Sequence, residues 1–212
     1  YIIEGEDLYS MTKSAGIALV EFSEVFNQIK PNIVMLLGDR YETLPIAIAA
    51  AYQNITLVHL EGGEITGSID ESIRHSITKL SHIHFPCTAN AKKRIIKMGE
   101  DKNRVFNFGS TSLDYLKAIN LNDINFINDY QINHGVGPNL DFKKKNYLIV
   151  IFHPVTTEYK KNFNYANILI DAIQKLKINT IWINSNLDAG NDGISKSIRT
   201  FISKKNNKNI KF

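Results

Sequence analysis

Cysteine is nearly absent from this sequence, with Cys87 the only one in 212 residues. A single cysteine excludes an internal disulfide and is typical of proteins in a reducing compartment. Cys87 follows Pro86 at a predicted strand end, where we interpret it as a small buried side chain. No apolar run approaches the ~20 residues that a membrane-spanning helix needs, and no segment has the pattern of a signal peptide. These absences predict a cytoplasmic protein without a membrane partner.

The chain also lacks a large excess of positive or negative charge. Lys and Arg number 25 against 21 Asp and Glu, which gives a net charge of +4. No basic stripe with interleaved aromatic residues is present, so we predict no nucleic-acid partner. The sequence contains neither a P-loop nor a GxGxxG motif. Any nucleotide must therefore be held by loops at strand ends and by helix N-termini.

The first half of the chain alternates between helical and strand patterns. Residues 10–30 carry apolar side chains at helical spacing, and Pro31 ends the pattern. The continuous apolar run IVMLLGD then predicts a strand buried on both faces. The pattern goes on to predict a helix over 42–52, the strand ITLVHL, a helix over 69–82, a strand over 83–85, a helix over 88–98 and the strand RVFNFG. Such alternation with short connections predicts a parallel sheet covered by helices.

An Asn-rich stretch over 120–146 interrupts this alternation and contains one helical piece. The strand YLIVIFHP restarts it, followed by a predicted helix over 159–176, the strand NTIWIN and a predicted helix over 192–203. We therefore predict a second α/β unit, which the helix after Gly109 joins to the first. There are no internal repeats.

Charged residues follow two of the predicted strands directly, and ligands in parallel sheets bind at these carboxyl ends. Asp39 and Arg40 follow the strand IVMLL, and the Arg40 guanidinium can bind phosphate or carboxylate with two hydrogen bonds. Glu61 follows the next strand, and Gly62 and Gly63 after it leave room for a ligand to approach the backbone. A carboxylate at such a strand end suits a base or an electrostatic stabiliser.

The predicted helix over 69–82 begins with a cluster of polar residues. Ser68 and Glu71 match a capping box, in which the two side chains satisfy exposed amides. Asp70 stands in the first turn, where the helix dipole favours a carboxylate, and it can pair with Arg74 four residues on.

Histidines are concentrated in the same region and at one later strand end. His153 ends the strand YLIVIF and can exchange a proton near neutral pH. No pair of histidines stands at metalloenzyme spacing with a carboxylate, so we predict no metal site in the set His59, His75, His82 and His84.

Five segments together resemble the hydrolysing UDP-N-acetylglucosamine 2-epimerases, in the branch that serves the sialic-acid and legionaminic-acid pathways. In chain order they are GDRYE, HLEGGEITGSIDESIRHSITKLSHIHF, GS with a following D, FHPVTTE and NLDAGNDGI. The resemblance spans nearly the whole chain, and the long second segment is highly specific.

The resemblance implies a GT-B architecture, in which two Rossmann-like domains enclose the active site between them. Residues 1–118 would form the amino-terminal domain without its first strand and its Gly/Arg-containing loop. Residues 119–212 would form the first part of the carboxyl-terminal domain, without its Ser-rich loop. The implied partner is a UDP-sugar, and we expect the complete protein to be a homo-oligomer, either a dimer or a tetramer.

The resemblance also assigns roles to individual residues. The family's catalytic carboxylates fall on Asp39, Glu61 and Asp70, and its histidine falls on His153. Non-hydrolysing relatives have Glu where this chain has Asp70, so we include the adjacent Glu71 among the catalytic residues. Arg40 falls where the sialic-acid branch has an Arg near the nucleotide. We assign substrate binding to Arg40 and to neighbours in the long motif: His59, Gly62, Gly63, Arg74 and His75.

The implied reaction converts a UDP-2-acetamido sugar to its free 2-epimer and UDP. Cations and helix N-termini stabilise the departing diphosphate, and carboxylates stabilise positive charge at the sugar C1. A carboxylate or histidine removes the C2 proton to leave a glycal, to which water adds with a proton delivered to the opposite face of C2. Neither a metal nor a redox cofactor is needed.

Several alternatives stay open from the sequence alone. A non-hydrolysing epimerase would reattach UDP, and a sugar-nucleotide-binding fragment would bind without turnover. A glycosyltransferase would share the architecture but would not need a base at C2. The substrate can be UDP-N-acetylglucosamine or UDP-2,4-diacetamido-2,4,6-trideoxyglucose.

Overall fold

The structure, a computed structural model, describes residues 7–119, 124–142, 146–186, 188–204 and 207–212. Contacts between Cα atoms group residues 9–119 into one compact unit and the described residues from 124 onward into a second. Each unit contains a three-stranded parallel sheet. The predicted α/β class is therefore confirmed.

The first unit alternates helices and strands as predicted, and apart from the strand RVFNFG the element ends differ from the predictions by two residues at most. Its sheet has the strand order β1-β2-β3. A core that includes Phe26, Leu36, Leu57 and Ile77 packs the first three helices onto one face of this sheet. The elements are α1 (Leu8–Ile29), β1 (Ile33–Leu37), α2 (Thr43–Tyr52), β2 (Thr56–Leu60), α3 (Ile69–Leu80), β3 (Ile83–Phe85) and α4 (Ala89–Lys97).

The prediction that β1 is buried on both faces is wrong. Ile33, Met35 and Leu37 are each more than half exposed, whereas Leu36 between them is buried. β1 is an edge strand of the described sheet, and α1, α2 and α3 pack on the face that carries Leu36. Period-two alternation places the other three side chains on the opposite face of the strand.

The predicted strand RVFNFG is reduced to a single bridge between Val105 and His84. The Phe106 N–H donates to the His84 carbonyl at 2.8 Å, but the ladder ends there. The next pairing would need an N–H from Pro86, which has none. The Pro86 carbonyl instead accepts a hydrogen bond from the Asn107 side chain at 2.7 Å.

The second unit has the strand order β4-β5-β6 and a core built around Trp182. The helix predicted over 192–203 is present with almost the same ends. The helix predicted over 159–176 begins only at Asn162, because Thr156–Lys161 forms a 3₁₀ helix. The short strand β6 was not predicted. The elements are α5 (Ile124–His134), β4 (Tyr147–Ile151), α6 (Asn162–Leu176), β5 (Asn179–Ile183), α7 (Asn191–Ser203) and β6 (Ile210–Lys211).

None of the helices in the described part of the chain has the length and apolarity needed to cross a membrane.

Candidate active site

Glu61 follows β2 directly and adopts a left-handed backbone conformation, with φ at +63°. Residues other than glycine rarely take this conformation because the Cβ atom clashes with the backbone, and such positions cluster at functional sites. The Glu61 N–H donates to the Phe85 carbonyl at 2.9 Å, and the carboxylate accepts a hydrogen bond from the Ser110 hydroxyl at 2.9 Å. The structure therefore fixes a half-buried carboxylate at the carboxyl edge of the first sheet.

The glycines after Glu61 are buried, and their lack of side chains serves packing. A Cβ on Gly62 would lie 2.8 Å from His59 Nδ1, and one on Gly63 would lie 2.7 Å from the Ala91 carbonyl oxygen. Gly63 also has φ at +83°, which favours glycine. The room that we predicted for a ligand on this side is filled by the protein itself, so that interpretation is corrected. Substrate binding by the backbone of this pair stays a prediction.

Asp39 forms an ion pair with Arg74, which links the end of β1 to α3. Arg74 is only 6% exposed, and its Nη1 also donates to the Glu64 carbonyl at 2.8 Å. Burial lowers the pKa of the Arg74 guanidinium. The sequence predicts that Arg74 can pair with Asp70. In the structure Arg74 pairs with Asp39 instead. Arg74 thus brings positive charge to the same sheet edge as Glu61.

The start of α3 differs from the predicted capping box. Glu71 accepts hydrogen bonds from the N–H groups of Gly67 at 2.8 Å and Thr66 at 2.9 Å, which lie before the cap residue Ser68. These bonds, the one from Gly67 first, lower the pKa of the Glu71 carboxyl. The Ser68 hydroxyl donates to Asp70 at 3.0 Å and makes no cap bond. The capping box is therefore wrong in detail, because Glu71 stabilises the preceding loop.

Arg40, in the loop after β1, and His75, on α3, are two of the predicted substrate-binding residues. The Arg40 Nε donates to the Glu42 carboxylate at 2.7 Å, and the Arg40 side chain is 43% exposed. His75 is half-buried on α3, with its Nδ1 buried and without a hydrogen-bond partner among the described residues. Their roles in substrate binding stay predictions.

His59 is a residue of β2, and its fully buried side chain lies between the end of β1 and α3. Its Nε2 is 2.8 Å from the Gly38 carbonyl, which can only accept, so Nε2 carries the proton. Its Nδ1 is 3.1 Å from the Thr78 hydroxyl. Burial lowers the pKa of His59 to about 4, so the imidazole is neutral at physiological pH. The structure places this predicted binding residue inside the protein, where it joins the Gly38–Asp39 loop to α3.

The buried neutral state of His59 predicts a loss of stability in mild acid. An unfolded histidine protonates near pH 6.5, whereas His59 in the folded protein stays neutral until about pH 4. Its contribution is thus present above pH 6.5 and is lost as the pH falls toward 4. We expect the free energy of unfolding to fall by about 2–3 kcal/mol between pH 7.5 and 4.5 from this group.

Urea unfolding of the chain at several pH values measures this loss. His59→Gln retains an N–H that can reach the Gly38 carbonyl but does not titrate, so its stability should depend less steeply on pH in this window. An equal pH dependence in the variant and the wild type would contradict the prediction.

The remaining histidines of the region make structural contacts. His82 Nδ1 accepts a hydrogen bond from the Leu57 N–H at 3.1 Å. His84 is buried 3.4 Å from the Glu100 carboxylate, and burial lowers its pKa. Within the described ranges, no cluster of three His, Cys, Asp or Glu side chains is arranged to hold a metal ion.

Cys87 lies beside the Glu61 carboxylate and the Ser110 hydroxyl. Burial, followed by the negative charge of Glu61, raises the pKa of the Cys87 thiol. The thiol is therefore protonated and adds a weak donor next to the carboxylate. Cys87 is half-buried, so the sequence interpretation of a buried apolar side chain omitted its polar neighbours.

His153 stands beyond the carboxyl end of β4 in the second unit and is exposed. The Asn186 N–H donates to His153 Nδ1 at 3.2 Å, so the neutral ring carries its proton on Nε2. The buried Asn162 holds the same loop by accepting from the Val155 N–H at 3.2 Å. This arrangement presents a histidine N–H donor at a strand end. Its convergence with Asp39, Glu61 and Asp70 stays a prediction.

Comparison with known proteins identifies the family. The family described as UDP-N-acetylglucosamine 2-epimerase matches residues 1–211. The chain belongs to this family. It is 36% identical over 209 residues to the GDP/UDP-N,N'-diacetylbacillosamine 2-epimerase (hydrolyzing) of Campylobacter jejuni, covering 98% of this chain and 52% of that protein. It is 37% identical over 193 residues to the UDP-N,N'-diacetylbacillosamine 2-epimerase (hydrolyzing) of Legionella pneumophila, covering 91% and 49%.

A solved 2-epimerase shares the fold of this chain. The UDP-GlcNAc 2-epimerase from Neisseria meningitidis, bound to UDP-GlcNAc, superimposes with a TM-score of 0.72 at 19% identity, covering 94% of this chain and 54% of that one. The predicted GT-B-like α/β fold is thereby confirmed. The chain spans about half the length of the curated relatives that it matches.

Among the residues that touch predicted site residues but were not assigned to the site are Ser110, Cys87 and Thr78. Ser110 stands in the GS motif, which was the one signal that could have identified it. Its partner Glu61 is 49 residues away in sequence, so no local spacing reveals the contact.

Proposed function

We propose that this chain forms part of a hydrolysing 2-epimerase that converts a UDP-2-acetamido sugar to the free 2-epimer and UDP. The observation that carries the proposal is Glu61, a carboxylate held in a left-handed conformation at a strand end. Support comes from the Campylobacter and Legionella relatives, which are named hydrolyzing 2-epimerases, and from the Neisseria structure, which holds UDP-GlcNAc. The substrate is UDP-N-acetylglucosamine or UDP-2,4-diacetamido-2,4,6-trideoxyglucose, and the enzyme works in the cytoplasm.

The proposed chemistry begins with elimination. A base removes the C2 proton, its electron pair forms the C1–C2 double bond, and the C1–O bond breaks to release UDP. Glu61, Asp70 and Asp39 supply the carboxylates that act at the sugar, because charge at C1 and C2 requires anions and proton acceptors there. The guanidinium of Arg40 faces the departing diphosphate, and Arg74 offsets the negative charge of the carboxylates.

The second half of the reaction hydrates the glycal. Water adds its oxygen to C1, and a proton reaches C2 on the face opposite to the one that lost it. His153, once protonated to the imidazolium, can supply that proton. Glu71 supports Asp70 by ordering the loop before α3, as its two backbone hydrogen bonds indicate. No step needs a metal, since protonation, elimination and hydration use only acid–base groups.

The test is incubation of the complete protein with each of the two UDP-sugars, with and without excess EDTA, and quantification of UDP and free sugar. We expect UDP and the free 2-epimer in equal amounts with at least one substrate, at the same rate with EDTA. A 2-epimer that remains attached to UDP would indicate the non-hydrolysing reaction. Binding by calorimetry without any turnover would indicate a sugar-nucleotide-binding protein instead.

A further inference from the structure

Ser110 occupies the N-cap position of the 3₁₀ helix Thr111–Ala118. A serine in this position usually accepts a hydrogen bond from an amide of the first turn, which stabilises the helix start. Ser110 makes no such cap bond. Its hydroxyl instead donates to the Glu61 Oε1 atom at 2.9 Å, across a separation of 49 residues. The side chain therefore serves Glu61 rather than its own helix.

The Glu61 backbone is fixed by other means. Its N–H donates to the Phe85 carbonyl, and Gly62 and Gly63 after it pack tightly against protein atoms. These contacts set the position of Cα but leave the rotatable bonds of a long side chain free. Two side chains contact the carboxylate itself: the Ser110 hydroxyl and the Cys87 thiol. The hydroxyl is the stronger donor of the two, so it selects one orientation of the Glu61 side chain. The charged acceptor makes this hydrogen bond stronger than one between neutral groups.

We propose that Ser110 is a positioning residue that orients the Glu61 carboxylate toward the reacting sugar carbons. This inference rests on the proposed function for the role of Glu61, but the orienting contact itself is a property of the chain. A second carboxylate offers a comparison: Glu64 accepts a hydrogen bond from the Thr88 hydroxyl at 2.8 Å, and Thr88 does cap its own helix. Ser110 differs because its hydroxyl makes no cap bond and donates to the Glu61 carboxylate instead.

The activity test uses three variants of the complete protein. Ser110→Ala should lower kcat about 10–100-fold with KM within about threefold, because a misplaced acid–base group loses rate rather than binding. Ser110→Thr keeps the hydroxyl and should recover most of the activity. Ser112→Ala removes an exposed hydroxyl from the same 3₁₀ helix and should match the wild type. Melting temperatures should stay within about 3 °C, since a partly exposed hydroxyl contributes little to stability.

A structural test separates this inference from the proposed function. In a crystal structure of Ser110→Ala we expect the Glu61 side chain to occupy a new or split conformation, with its backbone unchanged. The inference is overturned if Glu61 keeps its conformation, if Ser110→Ala turns over like the wild type, or if Ser110→Thr is no better than Ser110→Ala. A wild-type protein inactive on every UDP-sugar would refute the proposed function, and the conformation of Glu61 would still decide the role of Ser110.

Discussion

Replacing Glu61 by Gln is expected to lower kcat by about 10²–10⁴-fold in the complete protein, which is the usual effect of removing one positioned acid–base or electrostatic group. The change keeps the size of the side chain and an oxygen that can accept from Ser110, while it removes the negative charge. Affinity for UDP should stay within about threefold, because the proposed contact is to the sugar. The measurement is steady-state kinetics together with calorimetric binding of UDP.

Glu64→Gln is the matched control for this prediction. Glu64 lies three residues away and also accepts a hydrogen bond from a hydroxyl, that of Thr88. The Glu64 backbone is not in the left-handed conformation, whereas the Glu61 backbone is. Glu64→Gln should keep kcat within about threefold. Near-normal turnover by a stably folded Glu61→Gln would mean that the strand-end carboxylate is structural.

Replacing Asp39 by Asn is expected to destabilise the first unit by about 2–3 kcal/mol, because it leaves the buried Arg74 guanidinium without its charged partner. The loss is smaller than for a fully buried ion pair, because a quarter of the Asp39 side chain is exposed. Urea unfolding of Asp39→Asn, Arg74→Met and the double variant measures the coupling between the two. The double variant should be more stable than the sum of the single changes predicts.

Asp70→Asn provides the comparison for stability. Asp70 accepts a hydrogen bond from the Ser68 hydroxyl and is not paired with a buried cation. We therefore expect Asp70→Asn to lower the free energy of unfolding by less than about 1 kcal/mol. Equal losses for Asp39→Asn and Asp70→Asn would contradict the account of the ion pair. Both changes are expected to lower turnover, but only Asp39→Asn should do so with a large loss of stability.

The elements of the first unit could be predicted because each has a local signal. Helical spacing before Pro31 predicts α1, and the short apolar runs predict β1 and β2. The failure at RVFNFG has a local cause in a different segment, since Pro86 on the neighbouring strand cannot donate the next ladder bond. The exposure of one face of β1 depends on which helices pack against it, and a five-residue apolar run does not show this.

The sequence marks the candidate site residues but not their contacts. Asp39 and Glu61 stand out in the sequence because each follows a strand, but their partners Arg74 and Ser110 lie 35 and 49 residues further on. Only tertiary structure brings such residues together. The same holds for His59, which the sequence marks as a polar residue near the site. The structure shows it buried, with both ring nitrogens engaged by the protein.

Proton NMR in D₂O tests whether Glu61 takes part in chemistry at C2 that releases UDP. Wild-type complete protein and Glu61→Gln are incubated with each UDP-sugar, and the spectra report UDP release, the configuration at C2 and deuterium at C2 together. We expect a free 2-epimer with deuterium at C2 for the wild type and little or no product for Glu61→Gln. Free 2-epimer that retains its original C2 proton, or equal product from Glu61→Gln, would contradict this prediction.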